Sequence, residues 1–310
     1  MAFCLRIEHI IYRENKENIL KPENKTLHYM IPKLIHFIWW QGENELPPKY
    51  RENVNNWRDN NPSFQVKVWN EYDLTKLCAE HYPQYLQNFS ESQHIMEQID
   101  LSKFMLLEVY GGFYVDTDIE FVKPIPSHWL NYRAIFSELF TNDACVGDFC
   151  FSVYIFSLGH SDKVIYNSGF YAGMPNAGIF RDILREAMKL RRSMSRLLGK
   201  QIYVTYTAGP PFITIYISKH LKNRKDILLL TPTHIEACGV NYQFSKNVKD
   251  CDMSEDTVGI HKHGLSWASP IHFFVLKCIY HRVKITEIIF FVLFVILVIL
   301  GLYWILKHSM

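Results

Sequence analysis

Short apolar runs alternate with amphipathic segments through the first third of the chain. Residues 34–40 are almost continuously apolar and stop at Gln41-Gly42, which is typical of a strand buried on both faces of a parallel sheet. Residues 64–69 alternate between polar and apolar side chains, and this pattern predicts a second strand. Residues 113–115 follow a Gly-Gly pair and predict a third, short strand.

Three helices are predicted between these strands, over residues 49–60, 73–80 and 93–109. Asp73 is the expected N-cap of the second helix. Strands that alternate with helices predict an α/β, Rossmann-like, mainly parallel sheet with flanking helices. Ligands of such sheets bind beyond the carboxyl ends of the strands, and Trp39 and Asp116 both fall at such ends.

A separate pattern covers residues 288–306, which contain no charged side chain and match the length of a membrane-spanning helix. We therefore divide the chain into a polar arm (1–30), a globular domain (31–270), a juxtamembrane segment (271–287) and one transmembrane helix (288–306).

The ends of the chain bear on its orientation in the membrane. The N-terminal residues lack an apolar stretch of signal-peptide length, and Lys277, Arg282 and Lys284 precede the span. Taken literally, these features predict a tail-anchored protein whose globular part lies in the cytosol.

Composition excludes some classes of function. A net charge of +2 over 310 residues gives no basic face for nucleic acid. The seven cysteines include no C-x-x-C pair, which argues against a zinc site and a dense disulfide framework. Cys145 and Cys150 flank a Gly-Asp turn and could pair in an oxidising compartment. The aromatic content of 15% fits either a large core with a membrane belt or ring platforms for ligands.

The candidate chemistry lies at Asp116-Thr117-Asp118. Paired carboxylates at a turn leaving a sheet suit hard cations such as Mg²⁺ and Mn²⁺, although a lone D-x-D segment is a weak signal. Asp100 and Lys103 lie three residues apart and share one helix face, so they form either a surface ion pair or part of a site.

Several segments occur together in a specific order: residues 31–39, Asn61-Pro62 with Val68-Trp69, and Asp100-x-x-Lys103 leading into residues 110–118. This order resembles the glycosyltransferases with a DXD sugar-binding region. That group includes initiating α-1,6-mannosyltransferases, inositol phosphorylceramide mannosyltransferases and, more distantly, clostridial glucosylating toxins. The resemblance covers about residues 31–211, where 207–211 are similar to the T-G-P segment of the ceramide-type members, and extends toward Trp267.

The resemblance implies a GT-A-like fold and a metal-dependent, retaining transfer of a hexose, with mannose favoured. It implies Mn²⁺ or Mg²⁺ as cofactor, GDP-mannose or a UDP-sugar as donor, a lipid (inositol phosphorylceramide-like) or glycan as acceptor, and a Golgi or endomembrane location. Two alternatives remain: a protein- or glycan-directed enzyme using a UDP-sugar, and a catalytically weak, membrane-anchored relative that binds nucleotide-sugar.

The resemblance also assigns roles to residues. It implies that Asp116 and Asp118 bind the ribose and the metal. The other residues that match functional positions of the family are Trp39 for the nucleotide base, Tyr114 near the nucleotide, Asp100 for a sugar hydroxyl and Asn167 for the donor sugar. The family usually has arginine where this chain has Lys103, and lysine lacks the planar, bidentate fork of arginine.

A late segment, His261-x-His263-x-x-Ser266-Trp267, is similar to the family's closing loop. There a histidine can complete the metal shell, and the Ser-Trp pair closes over the diphosphate. An ordinary polar loop is the alternative interpretation of these histidines.

Overall fold

The computed structural model describes residues 30–92, 94–140, 164–193, 200–238 and 251–264. The strands are β1 Leu34–Ile38, β2 Gln65–Trp69, β3 Gly112–Val115, β4 Ile119–Phe121, β5 Ala134–Phe140, β6 Ile165–Gly173, β7 Ile227–Leu230 and β8 Gly259–His261. The α-helices are α1 Pro48–Asn60, α2 Glu71–His81, α3 Leu86–Ser90, α4 Ile95–Val109, α5 Ile179–Ser193, α6 Lys200–Thr207, α7 Pro210–His220 and α8 Pro232–Ile235. Short 3₁₀ helices cover Glu43–Glu45, Pro83–Tyr85 and Ser127–Asn131.

Six strands form one sheet in the order β2-β1-β3-β6-β5-β7, and β4 pairs with β8 in a separate two-stranded sheet. Within the large sheet, β6 runs antiparallel to both of its neighbours, whereas the other pairs are parallel. The predicted α/β fold with a mainly parallel sheet is therefore confirmed.

Two apolar layers cover the sheet, one on each face. Along β3, Tyr114 belongs to the layer that includes α2, α4 and α5, whereas Phe113 and Val115 belong to the layer that includes α1. This alternation follows from the two-residue period of a strand. Because both faces of the strand are buried, the polar chemistry has to lie at its end.

The three predicted strands and the three helices predicted between them are all present, with boundaries that differ by one or two residues. The predicted cap of the second helix is wrong. The helix begins at Glu71, and the side chain of Asn70 accepts the hydrogen bond from the Asp73 amide at 2.9 Å. Asp73 therefore lies inside the first turn, where its charge favours the helix dipole but cannot cap the helix.

Two glycines make the approach to β3 possible. Gly111 and Gly112 have φ values of 65° and 94°, in the left-handed region that other residues avoid. A Cβ at Gly112 would lie 2.5 Å from the Leu34 carbonyl oxygen. The pair therefore allows the end of α4 to turn directly into a strand packed beside β1.

The side chain of His36, on β1, stabilises this turn through a hydrogen bond to Gly111. Its ring is fully buried, accepts the Trp69 indole N–H at Nδ1 (2.9 Å), and has Nε2 2.7 Å from the Gly111 carbonyl oxygen. Since Nδ1 accepts, Nε2 carries the hydrogen and donates it to Gly111. Burial is the largest influence on the pKa of His36 and lowers it to about 4, so the ring is neutral.

A disulfide joins Cys238 to Cys251, and Cys78 is a buried free cysteine. The sequence did not single out this pair. Cys145 and Cys150 lie outside the described residues.

Within the ranges that the structure describes, no helix has the length and apolar character needed to cross a membrane. The predicted N-terminal arm (up to residue 29), the juxtamembrane segment 271–287 and the predicted span 288–306 lie outside those ranges.

Candidate functional site

The candidate site begins at the turn between β3 and β4, which consists of Asp116, Thr117 and Asp118. The Ile119 amide donates to the Asp116 carbonyl oxygen at 3.0 Å and closes the turn. The side-chain amide of Asn53, on α1, donates to the carbonyl oxygens of Thr117 (2.9 Å) and Ile119 (2.7 Å). The backbone of the turn is therefore fixed from outside, and the two carboxylates are left available for other contacts.

Asp116 faces helix α4 and strand β6. Its Oδ1 accepts the Tyr114 hydroxyl hydrogen at 2.5 Å and lies 3.4 Å from Lys103 Nζ. Its amide donates to the Gly169 carbonyl oxygen at 2.8 Å. One carboxylate oxygen of Asp116 is thus held by the protein, and the side chain remains 26% exposed.

The pair Asp100 and Lys103 is buried, which excludes the surface ion pair. Lys103 Nζ donates to Asp100 Oδ1 at 2.8 Å and to the Ser168 carbonyl oxygen at 3.1 Å, and only 2% of the lysine side chain is exposed. Burial lowers the pKa of Lys103, but Asp100 and Asp116 outweigh that effect and raise it. The ammonium is therefore charged and joins the two carboxylates.

Asp118 faces the opposite side of the turn, toward β8. Its Oδ1 lies 3.4 Å from His261 Nε2, and its Oδ2 accepts the Gly264 amide hydrogen at 2.7 Å. Burial raises the pKa of Asp118, but His261 and these hydrogen bonds outweigh burial and lower it overall. Pairing of β4 with β8 sets Ile119 opposite His261 and so determines the contact.

Glu236, which sequence reasoning missed, lies behind the two histidines. Its fully buried carboxylate contacts His261 Nδ1 (2.7 Å) and His263 Nε2 (2.7 Å) and accepts a hydrogen bond from the Asn167 amide. Burial raises the pKa of Glu236, but the nearby His263 and His261 outweigh it and lower the pKa to about 2. No local motif marks this residue, because it follows the short helix α8 in an otherwise unremarkable segment.

Two groups of side chains have the spacing of a cation site. Potential ligand atoms of Asp116, Asp118 and His261 lie within 4.8 Å of one another, as do those of Glu236, His261 and His263. The first group is two-thirds carboxylate and lies at the turn, so it fits Mn²⁺ or Mg²⁺. His263 belongs only to the second group.

The structure brings together most of the residues that the sequence singled out. Asn167 joins them through β6, and its side-chain oxygen accepts the Gly169 amide hydrogen at 2.6 Å. Trp39 follows β1, with its ring 5.6 Å from Tyr50 and its indole N–H on the Glu45 carbonyl oxygen. No described contact joins Trp39 to the aspartates, and Ser266 and Trp267 lie outside the described residues.

Comparisons with known proteins agree with the sequence resemblance. Residues 47–135 match the family described as glycosyltransferase sugar-binding region containing DXD motif. An uncharacterized glycosyltransferase of Acanthamoeba polyphaga mimivirus is 23% identical over 245 residues, which cover 77% of this chain and 84% of the relative.

Fungal relatives match over a smaller share of their length. Inositol phosphoceramide mannosyltransferase 1 of Schizosaccharomyces pombe is 23% identical over 218 residues, covering 69% of this chain and 60% of the relative. Mannosyl phosphorylinositol ceramide synthase SUR1 of Saccharomyces cerevisiae is 26% identical over 102 residues, covering 33% of this chain and 26% of the relative.

Among solved structures, the PaToxG glycosyltransferase is similar with a TM-score of 0.40 and 16% identity, covering 62% of this chain and 71% of that structure. The sequence matches confirm the predicted resemblance, which over residues 47–135 is to the DXD-containing sugar-binding region of glycosyltransferases.

Proposed function

We propose that this chain is a metal-dependent, retaining glycosyltransferase with a GT-A-like domain over residues 31–270. It transfers a hexose from a nucleotide-sugar, with Mn²⁺ or Mg²⁺ held by Asp116, Asp118 and His261 against the diphosphate. The observation that carries this proposal is the convergence of these three side chains, two from the turn between β3 and β4 and one from β8, whose ligand atoms lie within 4.8 Å of one another beyond the carboxyl end of β3.

A bound cation would neutralise the charge that develops on the departing nucleotide diphosphate. The chain's own residues would orient the donor. Asp100 and Lys103 sit beside Asp116, and Asn167 sits beside Gly169, so the sugar would lie against α4 and β6. In the front-face substitution that we propose, the acceptor oxygen would bond to the anomeric carbon on the face from which the nucleotide diphosphate leaves, and the departing diphosphate oxygen would take the acceptor proton. Positioning and fixed charges would supply most of the acceleration.

The nucleotide would extend from the aspartates toward Trp39. Tyr50 lies between these points: its ring contacts Trp39, and the negative charge of Asp118 helps burial to raise its pKa. We propose that Trp39 contacts the base and that Ser266 and Trp267 close over the diphosphate.

The names of the fungal relatives favour GDP-mannose as donor and an inositol phosphorylceramide-like lipid as acceptor. A lipid acceptor agrees with a transmembrane helix at 288–306 preceded by a juxtamembrane segment, which we propose as its anchor. As a second choice, we propose a UDP-sugar as the donor and a glycan as the acceptor.

The Cys238–Cys251 disulfide supports a Golgi or endomembrane location with the globular domain on the lumenal side, because disulfides are rare in the reducing cytosol. This proposal replaces the tail-anchored cytosolic orientation expected from the chain termini. Protease treatment of intact microsomes tests it: the domain should be protected, and digestion without detergent would contradict the lumenal orientation.

A second candidate function is nucleotide-sugar binding with weak turnover. It is favoured by Lys103, because its ammonium donates hydrogen bonds to Asp100 and to the Ser168 carbonyl oxygen. A lysine also cannot bind the sugar with the two parallel hydrogen bonds that an arginine can form. Calorimetric binding of GDP-mannose or a UDP-sugar without measurable turnover would favour this candidate.

The main proposal is tested by a donor-hydrolysis screen of the purified chain against GDP-mannose and a panel of UDP-sugars. We expect slow hydrolysis of one donor that requires Mn²⁺ or Mg²⁺ and stops in EDTA. Hydrolysis that is equally fast in EDTA would contradict the metal role.

A further inference from the structure

We propose that Glu236 is a positioning residue that orients His261 toward the Asp116-Thr117-Asp118 turn and keeps His263 away from it. This inference rests on the proposed function, because it concerns the same cation site. It assigns different roles to the two histidines: His261 offers a ligand atom, and His263 supports the ring of His261.

The contacts of Glu236 require all three partners to donate. One carboxylate oxygen receives His261 Nδ1 and the Asn167 amide, and the other receives His263 Nε2. Carboxylate oxygens accept in such contacts, so the two ring nitrogens and the Asn167 amide nitrogen are the donors. The carboxylate therefore fixes the hydrogen positions on both rings.

His261 is left with Nε2 as its second ring nitrogen, and this atom lies 3.4 Å from Asp118 Oδ1. Histidines that bind metals usually donate their other ring N–H to a carboxylate or carbonyl, which fixes the ring and increases its basicity. Here the Glu236 carboxylate contacts Nδ1 of His261, and Nε2 of the same ring lies next to Asp118. His261 is thus aimed at the position that a cation would take between the aspartates.

His263 is placed differently. Its Nε2 contacts Glu236, its ring stacks on His261 with centroids 3.8 Å apart, and it is not part of the group formed by Asp116, Asp118 and His261. Its backbone has a φ of 48°, which is costly for a residue other than glycine and persists only when neighbouring contacts hold it. The bond to Glu236 and the stacked ring are such contacts.

Glu236 is itself secured to the segment that carries both histidines. The Val258 amide donates to the His234 carbonyl oxygen (2.9 Å), and the Asp252 amide donates to the Ala237 carbonyl oxygen (2.7 Å). The Cys238–Cys251 disulfide joins the same two segments of the chain covalently. These links hold the Glu236 carboxylate next to the two histidine rings.

The test uses the purified full chain, with Mn²⁺ alone as the probe. Two measurements are made: Mn²⁺ affinity by calorimetry and the ¹⁴N coupling of bound Mn²⁺ by electron spin echo spectroscopy. Wild type should show an imidazole nitrogen coupling that is lost in His261→Ala and retained in His263→Ala. The histidine pair keeps the proposal testable even if a Glu236 variant does not fold.

For Glu236→Gln we expect Mn²⁺ affinity to fall about 10- to 100-fold, because an amide cannot accept from all three donors. Glu236→Asp, which keeps the charge, should recover part of that loss. Glu108→Gln is the matched control: this carboxylate is also buried but receives the Gly178 and Arg181 amides at the start of α5, and its loss should leave the nitrogen coupling intact.

Unchanged affinity and coupling in folded Glu236→Gln would overturn the proposal, as would a wild-type complex without nitrogen coupling. The second result leaves the proposed function standing if donor hydrolysis still requires Mn²⁺. Conversely, a Glu236-dependent nitrogen coupling in a chain that hydrolyses no nucleotide-sugar would contradict the proposed function alone.

Discussion

The ammonium of Lys103 lies 3.4 Å from the carboxylate of Asp116, although one residue belongs to α4 and the other follows β3. This contact connects α4, which packs against one face of the sheet, to the turn that carries the candidate cation site. It also brings three charged groups together in a buried environment, since Asp100 is on the other side of the ammonium.

Lys103→Met should destabilise the fold by about 3–5 kcal/mol, because it leaves Asp100 as a buried carboxylate without its partner. Urea unfolding measures the loss. Lys76→Met is the matched control, because Lys76 forms a solvent-exposed ion pair with Glu80 on α2. Removing this lysine should cost less than about 1 kcal/mol. The double variant Asp100→Asn/Lys103→Met should be less destabilised than the sum of the single variants. Additive effects would contradict the buried pairing.

Asp118→Asn should reduce turnover about 100-fold or more, because a neutral amide is a poor ligand for a hard cation and neutralises less of the charge on the diphosphate. Steady-state hydrolysis at saturating Mn²⁺ measures the loss. Glu120→Gln provides the control: this carboxylate lies two residues further along, is 41% exposed and pairs with Lys262. Equal loss in both variants would indicate a general effect of charge and would contradict a specific role for Asp118.

Gly169→Ala should reduce turnover about 10-fold or more while leaving the fold intact. An added Cβ would lie 2.7 Å from Asp116 Oδ2 and 3.1 Å from His261 Cε1, so both side chains would have to shift, and small displacements of reacting groups are costly. Ser168→Ala is the control, because it keeps the carbonyl oxygen that Lys103 contacts. Full activity in Gly169→Ala, with normal thermal stability, would show that the site tolerates the displacement.

The free energy of unfolding should fall as the pH drops from 6.5 to 4, partly because of His36. Its pKa is about 4 in the folded chain and 6.5 when unfolded, so in this window the unfolded state binds more protons. The stabilisation is fully present above pH 6.5, and on the order of 3 kcal/mol is lost by pH 4, at about 1.4 kcal/mol per pKa unit. His36→Gln has no titrating ring, and its stability should fall less over the same window. Parallel profiles for the two proteins would contradict the assignment.

Reducing the Cys238–Cys251 disulfide should cost about 3 kcal/mol of stability, the value expected for closing a loop of about this length. Thermal unfolding with and without a reducing agent measures the effect. The double variant Cys238→Ser/Cys251→Ser should respond less to the reducing agent than the wild-type protein, whereas Cys78→Ala should keep the wild-type response. A wild-type protein that does not respond would contradict the bond.

The sequence predicted the part of the fold that depends on local pattern. The β1 run, the alternation in β2 and the Gly111-Gly112 pair each act over a few residues, so the strands and the turn into β3 could be inferred before the structure. The orientation of β6 could not, because an antiparallel strand within a parallel sheet is set by pairing with β3 and β5, which lie far apart in sequence.

The same distinction applies to the residues of the candidate site. Asp116 and Asp118 could be selected because they follow a predicted strand, and Asp100 because it shares a helix face with Lys103 in the same ordered motif. Glu236 could not, because its importance comes from burial among Asn167, His261 and His263, and no spacing along the chain encodes that contact. The buried state of Lys103 was likewise undetermined, since a three-residue spacing fits a solvent-exposed pair equally well.

The hydrogen bond between the Gly264 amide and Asp118 spans 146 residues of chain. Contacts of such high sequence separation form late, because the entropy of closing the loop must be overcome before they contribute. During synthesis, the aspartate turn therefore leaves the ribosome well before the residues that surround it. Until β8 docks onto β4, the nascent chain exposes an unpaired strand edge, and Asp118 lacks its contacts with His261 and Gly264.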